Sequence, residues 1–142
     1  RDDWQKKISY IPQNFFLFNA TLKQNITLFE EDKLIDYNKF NKSLEDSNVK
    51  EFINKINNGE NTVLGENGSL LSGGQRQRVA IARSLYFDKE IIIMDEATAS
   101  LDSKNEQEII DILKKLKNKT KIIITHSDKF NKDLFDQDIY LN

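Results

Sequence analysis

The sequence contains no cysteine, one proline and one histidine in 142 residues. Without cysteine, disulfide bonds and thiolate metal sites are excluded. No apolar run is longer than four residues, whereas a helix that crosses a bilayer needs about 20. No signal-peptide pattern is present either, so we expect these residues to stay in the compartment where they are made, without a membrane span of their own.

Neither sign of charge is in clear excess, since 21 basic residues face 23 acidic ones and the net charge is −2. A protein that binds the phosphates of nucleic acid usually has a basic balance or a basic patch. The sequence therefore predicts no nucleic-acid partner. With 38% hydrophobic and 31% charged residues, the composition is typical of about one water-soluble domain.

Glycine is scarce except in one stretch, because four of the five glycines lie between residues 65 and 74. Such clustering predicts a loop that leads into a helix. Ser72 is the expected N-cap, and the apolar residues from Val79 to Tyr86 would give the helix one apolar face. The backbone N–H groups around Gly73 and Gly74 could hold an anion there, although an ordinary capped helix would show the same pattern.

Apolar residues recur at steps of three and four between Asn19 and Asn58, which predicts a helical unit. They are Leu22, Ile26, Leu34, Ile35, Tyr37, Phe40, Leu44, Val49, Phe52, Ile53 and Ile56.

Short apolar runs predict β-strands on both sides of this helical unit. Ile8–Ile11 is the first and ends at Pro12. Ile91–Met94 and Ile122–Ile124 read as strands buried on both faces, and Asp138–Leu141 is a weaker candidate.

Between the two buried strands, Ser103 and Glu106 have the spacing of a capping box and predict a further helix. A strand, a helix and a strand in this order predict a right-handed parallel crossover. We therefore expect an α/β fold with an inserted helical unit.

Polar residues follow the strands. Asp95 and Glu96 come directly after Met94, His126 comes soon after Ile122–Ile124, and Gln13 follows Pro12. Ligands of open parallel sheets bind beyond the carboxyl ends of the strands. There an Asp can hold Mg²⁺, a Glu can polarise an attacking water and a Gln can donate to phosphate or to metal-bound water. The plain alternative is a set of solvated acids and a packed histidine.

Three aromatic residues and a leucine fill Phe15–Phe18, in a segment expected to be a loop. An exposed apolar loop predicts a docking surface. The alternative is a loop folded back onto its own core, and the sequence favours neither.

These residues combine into five motifs in a fixed order: Gln13, Leu71–Gln75, Ile91–Glu96, Ala99–Asp102 and His126. The order and spacing resemble the nucleotide-binding domain of ABC transporters, over nearly the whole chain. The resemblance implies a P-loop NTPase-like parallel sheet with an inserted α-helical subdomain. It also implies that ATP and Mg²⁺ are bound.

The resemblance gives roles to the residues at the strand ends. Glu96 matches the general base, and His126 matches the switch histidine that contacts the γ-phosphate. Asp95 matches the Walker B carboxylate that holds Mg²⁺. Gln13 matches the Q-loop glutamine, which contacts Mg²⁺ and the attacking water and senses the membrane domain.

Two further motifs imply a dimer. Ser72, Gly73, Gly74 and Gln75 match the signature motif, which binds the γ-phosphate of the ATP held by the opposite subunit. Asp102 matches the D-loop residue that communicates across the dimer. The resemblance therefore implies a second nucleotide-binding domain as a partner.

Exporter-type members are favoured by two segments. Ile11–Leu22 is similar to their Q-loop region, and Thr62–Gly68 looks like their x-loop. In that family both segments lie near the coupling helices of the transmembrane domains, which gives Phe15–Phe18 a partner. The resemblance thus implies an ATPase that powers membrane export or lipid flipping at the cytoplasmic face of the plasma (inner) membrane.

The sequence also departs from the family. It contains no Gly-x-x-x-x-Gly-Lys-Ser/Thr, the loop that holds the phosphates of a subunit's own ATP. We therefore expect a partial domain whose N-terminal part is missing and which is inactive alone. Its helical and signature subdomain would span about residues 14–87, and residues 1–13 and 88–142 would form the α/β portion.

Two other functions stay open. One is a non-catalytic, truncated ABC module that cannot bind its own ATP. The other is an ABC-type ATPase of DNA repair, which the lack of a basic excess disfavours.

Overall fold

The computed structural model describes residues 2–130, 136–137 and 139, and they form six α-helices, three β-strands and two short 3₁₀ turns. The 3₁₀ turns are Gly59–Asn61 and Glu66–Gly68. The strands are β1 (Ile8–Ile11), β2 (Ile91–Asp95) and β3 (Thr120–Ile124). The helices are α1 (Asp2–Lys7), α2 (Leu22–Thr27), α3 (Tyr37–Asp46), α4 (Lys50–Ile53), α5 (Gly73–Tyr86) and α6 (Ser103–Lys115).

The three strands form one parallel sheet in the order β1-β2-β3. Ile11 pairs with Met94, and Asp95 pairs with Ile124, so the carboxyl ends of all three strands lie at the same edge. The α/β class with a parallel sheet is confirmed, and so is the helical insertion between β1 and β2.

One face of the sheet is covered and the other is not. Ile92 and Met94 are buried beneath α5 and α6, together with Ile109 of α6. On the opposite face Ile122 is 48% exposed and Ile124 45% exposed. The prediction that the strands are buried on both faces is therefore wrong for the described part of the chain. An apolar run shows that both faces of a strand can be buried. Burial of both faces also requires a layer of secondary structure against each of them.

A second hydrophobic core joins the helical unit to α5. It is closed, with Leu17, Leu22, Phe40 and Val49 fully buried. Helix α5 contributes to both cores, because Val79, Ala82 and Tyr86 face the helical unit while Ala80 and Ile81 face the sheet. The expected single apolar face of α5 is therefore wrong, since a helix between two cores is buried on most sides.

The helix starts differ in how well they were predicted. Ser72 caps α5 as expected, in a capping box with Gln75. For α6 the N-cap is Asp102, whose carboxylate accepts hydrogen bonds from two backbone amides at 3.0 Å. The predicted capping box of Ser103 and Glu106 is therefore wrong, and Glu106 is buried in another network. Asp102 comes directly before Ser103, and Asp and Ser are about equally favourable at the N-cap. The sequence alone therefore did not decide which of the two residues caps α6.

The weak strand predicted at Asp138–Leu141 falls largely outside the described residues, of which only Ile139 belongs to it, and that side chain is exposed. Within the described residues, no helix combines the length and the apolar character that crossing a membrane requires.

Candidate functional site

The carboxyl edge of the sheet brings Glu96 and His126 together. Glu96 follows β2 directly and His126 lies two residues beyond β3. Oε1 of Glu96 is 3.0 Å from Nε2 of His126. The glutamate side chain is about one-third exposed and the imidazole almost fully exposed, at 31% and 91%. A carboxylate and an imidazole that lie at hydrogen-bonding distance and are open to solvent can together accept a proton and pass it on.

The backbone at Glu96 is fixed in an unusual conformation. Its φ angle is 46°, in the left-handed region that non-glycine residues seldom adopt. Its amide donates a 2.8 Å hydrogen bond to the carbonyl oxygen of Ile124, which continues the ladder between β2 and β3 by one residue. Strained residues of this kind are often found at active sites, where the surrounding fold holds them in place.

Asp95 ends β2, and its Oδ2 accepts a 2.8 Å hydrogen bond from the hydroxyl group of Tyr10. This bond raises the pKa of Tyr10, because the charged carboxylate favours the protonated phenol. Tyr10 was not predicted. The alternation of β1 could have found it, since Tyr10 pairs with Ile93 and therefore shares a sheet face with Asp95.

The residues at this edge fit a magnesium ion that is bound together with phosphates. Gln13 lies on the exposed turn that follows β1, the strand paired with β2. Asp95 offers a half-buried carboxylate at that end. The described residues contain no group of three or more His, Cys, Asp and Glu residues that could hold a metal. Mg²⁺ does not need such a cage, because proteins commonly bind it through one or two carboxylates plus substrate phosphates.

At the start of α5, two backbone amides have no hydrogen-bond partner in the part of the chain that the structure describes. The capping box uses the amide of Gln75, which donates to Oγ of Ser72, and the amide of Ser72, which donates to Oε1 of Gln75. No acceptor for the amides of Gly73 and Gly74 occurs among the described residues. Unpaired amides at the start of a 14-residue helix favour an anion.

Gly74 also has a packing role that the sequence did not reveal. A Cβ atom at this position would lie 2.7 Å from Cγ of Asn105 in α6, closer than real side chains approach. At Gly73 the nearest atom is Cδ2 of Leu101, at 3.3 Å. The glycines therefore let the start of α5 press against the start of α6.

Two parts of the predicted site are separate in this chain. No hydrogen bond or ion pair of the described residues joins Ser72–Gln75 to Asp95, Glu96 or His126. Asp102 follows Glu96 by six residues and caps α6. Hydrogen bonds from Asn105, first from its backbone amide, lower the pKa of the Asp102 carboxyl, so that it is ionised at neutral pH.

The loop after β1 divides into a buried and an exposed part. Leu17 is buried in the helical core, whereas Phe16 and Phe18 are exposed. Phe18 stacks edge to face on Phe16 and on Phe29, each with ring centroids 5.2 Å apart. The interpretation of a loop folded onto its own core is thus confirmed for Leu17, whereas docking by the exposed Phe16 and Phe18 stays a prediction. Phe29 was missed, because nothing in its local sequence places it beside a loop eleven residues away.

Arg83 of α5 holds the loop Phe15–Phe18, called the aromatic loop here, through hydrogen bonds to backbone carbonyl groups. Its Nε donates to the carbonyl oxygen of Asn25 at 2.8 Å, and its Nη1 donates to the carbonyl oxygen of Phe16 at 3.1 Å. Burial lowers the pKa of the guanidinium. A groove of about 600 Å³ runs along β1 between Arg83, the aromatic loop and Phe87. Arg83 was also missed, because its partners are carbonyl groups far away in sequence.

The segment Thr62–Gly68 lies beside the aromatic loop. Asn67 accepts a 3.2 Å hydrogen bond from the amide of Leu17, and Val63 forms a bridge with Thr21. Gly68, at φ +68°, packs against Leu17. The two segments that were predicted to face the same partner are thus neighbours.

Comparison with known proteins gives one family. A family model described as ABC transporter matches residues 1–99. The ATP-dependent lipid A-core flippase of Vibrio vulnificus is 46% identical over 121 residues, which cover 84% of this chain and 21% of the flippase. The flippase of the same name from Escherichia coli K12 is 42% identical over 123 residues, which cover 86% of this chain and 21% of the flippase.

A solved structure agrees with these relatives. The structure of a bacterial Atm1-family ABC exporter with ATP bound has a TM-score of 0.73 and 32% sequence identity, and it covers 86% of this chain. The chain spans 21% of the length of that exporter and of both flippases. Since the family model matches well over half of the residues, the chain belongs to the ABC transporter family.

Proposed function

We propose that this chain is part of the ATPase of a membrane exporter or lipid flippase. The observation that carries the proposal is the pairing of Glu96 with His126 at 3.0 Å, at the edge where ligands of parallel sheets bind. The named relatives support an export function, since two of them are called lipid A-core flippases and one is called an ABC exporter.

In the proposed reaction, Glu96 accepts a proton from the water that attacks the γ-phosphate of ATP. His126 holds the glutamate through Nε2 and lies beside the γ-phosphate. The left-handed backbone at Glu96 keeps the carboxylate at the sheet edge while this happens.

Asp95 and Gln13 would hold Mg²⁺, which supplies charge neutralisation on the phosphates when it is bound. The Tyr10 hydroxyl group donates to Oδ2 of Asp95, so Oδ1 is the carboxylate oxygen that would bind the ion. The free amides of Gly73 and Gly74, with Ser72 and Gln75, would bind the γ-phosphate of an ATP molecule held by a second copy of the domain, and Asp102 would lie at the contact between the copies.

We propose that the exposed rings of Phe16, Phe18 and Phe29, with the adjacent Thr62–Gly68 segment, dock against transmembrane domains. The division at about residues 14–87 would then separate a docking and signature unit from the α/β portion that hydrolyses ATP. Both would lie on the cytoplasmic face of the plasma (inner) membrane.

The test is Glu96→Gln in the transporter that contains this chain. Losing the proton acceptor should lower the ATP turnover number by about 10²–10⁴-fold while ATP is still bound. Glu90→Gln is the matched control, because Glu90 lies next to the opposite end of β2 and its carboxylate pairs, among the described residues, only with the exposed Lys7. Turnover within a few-fold of wild type in the Glu96 variant would refute the assignment.

A second candidate is a non-catalytic module. It is favoured by the lack of a Gly-x-x-x-x-Gly-Lys-Ser/Thr sequence in the chain. Equilibrium binding of labelled ATP to the chain separates the two: micromolar affinity in the presence of Mg²⁺ would exclude this module.

A further inference from the structure

The segment that carries His126 is fastened to α6 by one lysine. Nζ of Lys129 lies 3.0 Å from Oε2 of Glu106, 2.9 Å from the carbonyl oxygen of Ser103 and 2.7 Å from Oγ of the same serine. An ammonium group has three N–H donors. All three are therefore used in the first turn of α6.

Glu106 connects the same lysine to the other side of the site. Its Oε1 accepts a 3.4 Å hydrogen bond from the hydroxyl group of Thr98, two residues after Glu96. The side chain of Ser127, the residue after His126, also lowers the pKa of this carboxylate. One buried carboxylate thus contacts a residue on each segment, Thr98 after Glu96 and Lys129 after His126.

The carboxylate of Glu106 is charged in this position. Burial raises its pKa, but the hydrogen bonds from Ser127 and Lys129 lower it by more, so the net shift is downward. Removing either partner of a buried pair between a carboxylate and an ammonium group is costly, because the remaining charge is left without a partner.

His126 depends on such neighbours for its orientation. Its side chain is almost fully exposed, and among the described residues the imidazole contacts only Glu96. The next residues are ordered by short turns, including a 3.0 Å hydrogen bond from the amide of Ser127 to Oγ1 of Thr125, and by the packing of Phe130 against the sheet core. Lys129 is the residue that ties these turns to α6.

We propose that Glu106 and Lys129 are positioning residues that hold His126 within hydrogen-bonding distance of Glu96. The inference rests on the proposed function, because it assumes that the contact between Glu96 and His126 serves ATP hydrolysis. The pair acts on the geometry of that contact and touches neither the nucleotide nor the attacking water.

Lys129→Met in the transporter that contains this chain tests the kinetic role. A displaced imidazole should lower the turnover number by about tenfold, while the KM for ATP changes by less than about twofold. Lys129→Arg, which keeps the charge, should recover most of the rate. Lys114→Met is the matched control, because within the described part of the chain the ammonium group of Lys114 makes only an exposed 3.8 Å pair with Asp111 on α6.

Coupling between the two residues provides a second measurement. If they act through one contact, Glu106→Gln and Lys129→Met should each lower turnover, and the double variant should be no slower than the slower single variant. Multiplicative losses in the double variant would overturn the inference, as would a Lys129→Met enzyme with the wild-type turnover number.

A spectroscopic measurement needs no nucleotide. In a ¹H–¹³C spectrum of the transporter that contains this chain, the Cε1–H resonance of His126 is the one that disappears in a His126→Gln variant. Lys129→Met should shift this resonance and Lys114→Met should not. An unchanged resonance in Lys129→Met would contradict the positioning role. Failure of the proposed function would instead show as a fully active Glu96→Gln enzyme, whatever the Lys129 variants do.

Discussion

The two hydrophobic cores of this chain are closed to different degrees. In the helical core, side chains from α2, α3, α4 and α5 surround one another, and Phe40 is fully buried. Among the described residues, the sheet core has helices on one face only, and Ile122 lies on the other face, called the bare face here. Apolar residues of similar character thus contribute to stability in one region and are available for contact in the other.

The largest expected effect comes from opening the closed core. Phe40→Ala should lower the free energy of unfolding by about 3–5 kcal/mol, because it removes a buried ring and leaves a cavity. The matched change on the bare sheet face, Ile122→Thr, should stay within about 0.5 kcal/mol of wild type. Denaturant unfolding of both variants measures the contrast. Equal losses would show that the second face of the sheet is covered in solution.

The contact between the starts of α5 and α6 should be sensitive to one added methyl group. Gly74→Ala places a Cβ atom against Asn105 and should cost about 1–3 kcal/mol through overpacking. Gly73→Ala should cost less, because its nearest neighbour is a leucine methyl group at 3.3 Å that can move. Adding Asn105→Ala to the Gly74 variant should restore much of the loss in a thermal unfolding experiment. No recovery would mean that strain elsewhere causes the defect.

The smallest effect is expected at the amino edge of the sheet, opposite the site. Lys119 lies 2.5 Å from Oδ1 of Asp88, and this hydrogen bond lowers the pKa of the aspartate. Its stabilisation is complete above the unfolded pKa of about 3.9 and is lost as the pH falls through the lower folded value. Lys119→Met should remove less than about 1 kcal/mol at neutral pH, because the carboxylate is exposed.

The measurement is the free energy of unfolding at neutral pH and at pH values below the unfolded pKa of aspartate. The difference between wild type and Lys119→Met should shrink as the pH falls. A difference that stays constant with pH would show that Lys119 stabilises the fold by packing alone.

Elements were easier to predict from the sequence than their surroundings. The periodic runs gave β1, β2, β3 and α5, because the spacing of apolar residues follows directly from helix and strand geometry. A single local signal predicted a helix start correctly where one residue stood out as the N-cap, as with Ser72. They failed at the start of α6, where Asp102 and Ser103 compete for the same position.

The candidate site was predicted in part for the same reason. Glu96 and His126 could be placed at one edge, because parallel strands end together. Tyr10, Arg83 and Lys129 could not be found, since each acts on a partner far away in sequence. The hydrogen bonds of these side chains do not depend on the neighbouring residues in sequence, so the local sequence pattern does not indicate them.

The sequence by itself determined the three strands, the start of α5 and the identity of the polar residues at the strand ends, since these follow from local propensity and spacing. Only the tertiary structure decided which face of the sheet is covered, that Gly74 is needed for contact with Asn105, and that Glu106 connects the residues after Glu96 and His126. Such facts depend on the distance between groups that the chain brings together only when it folds.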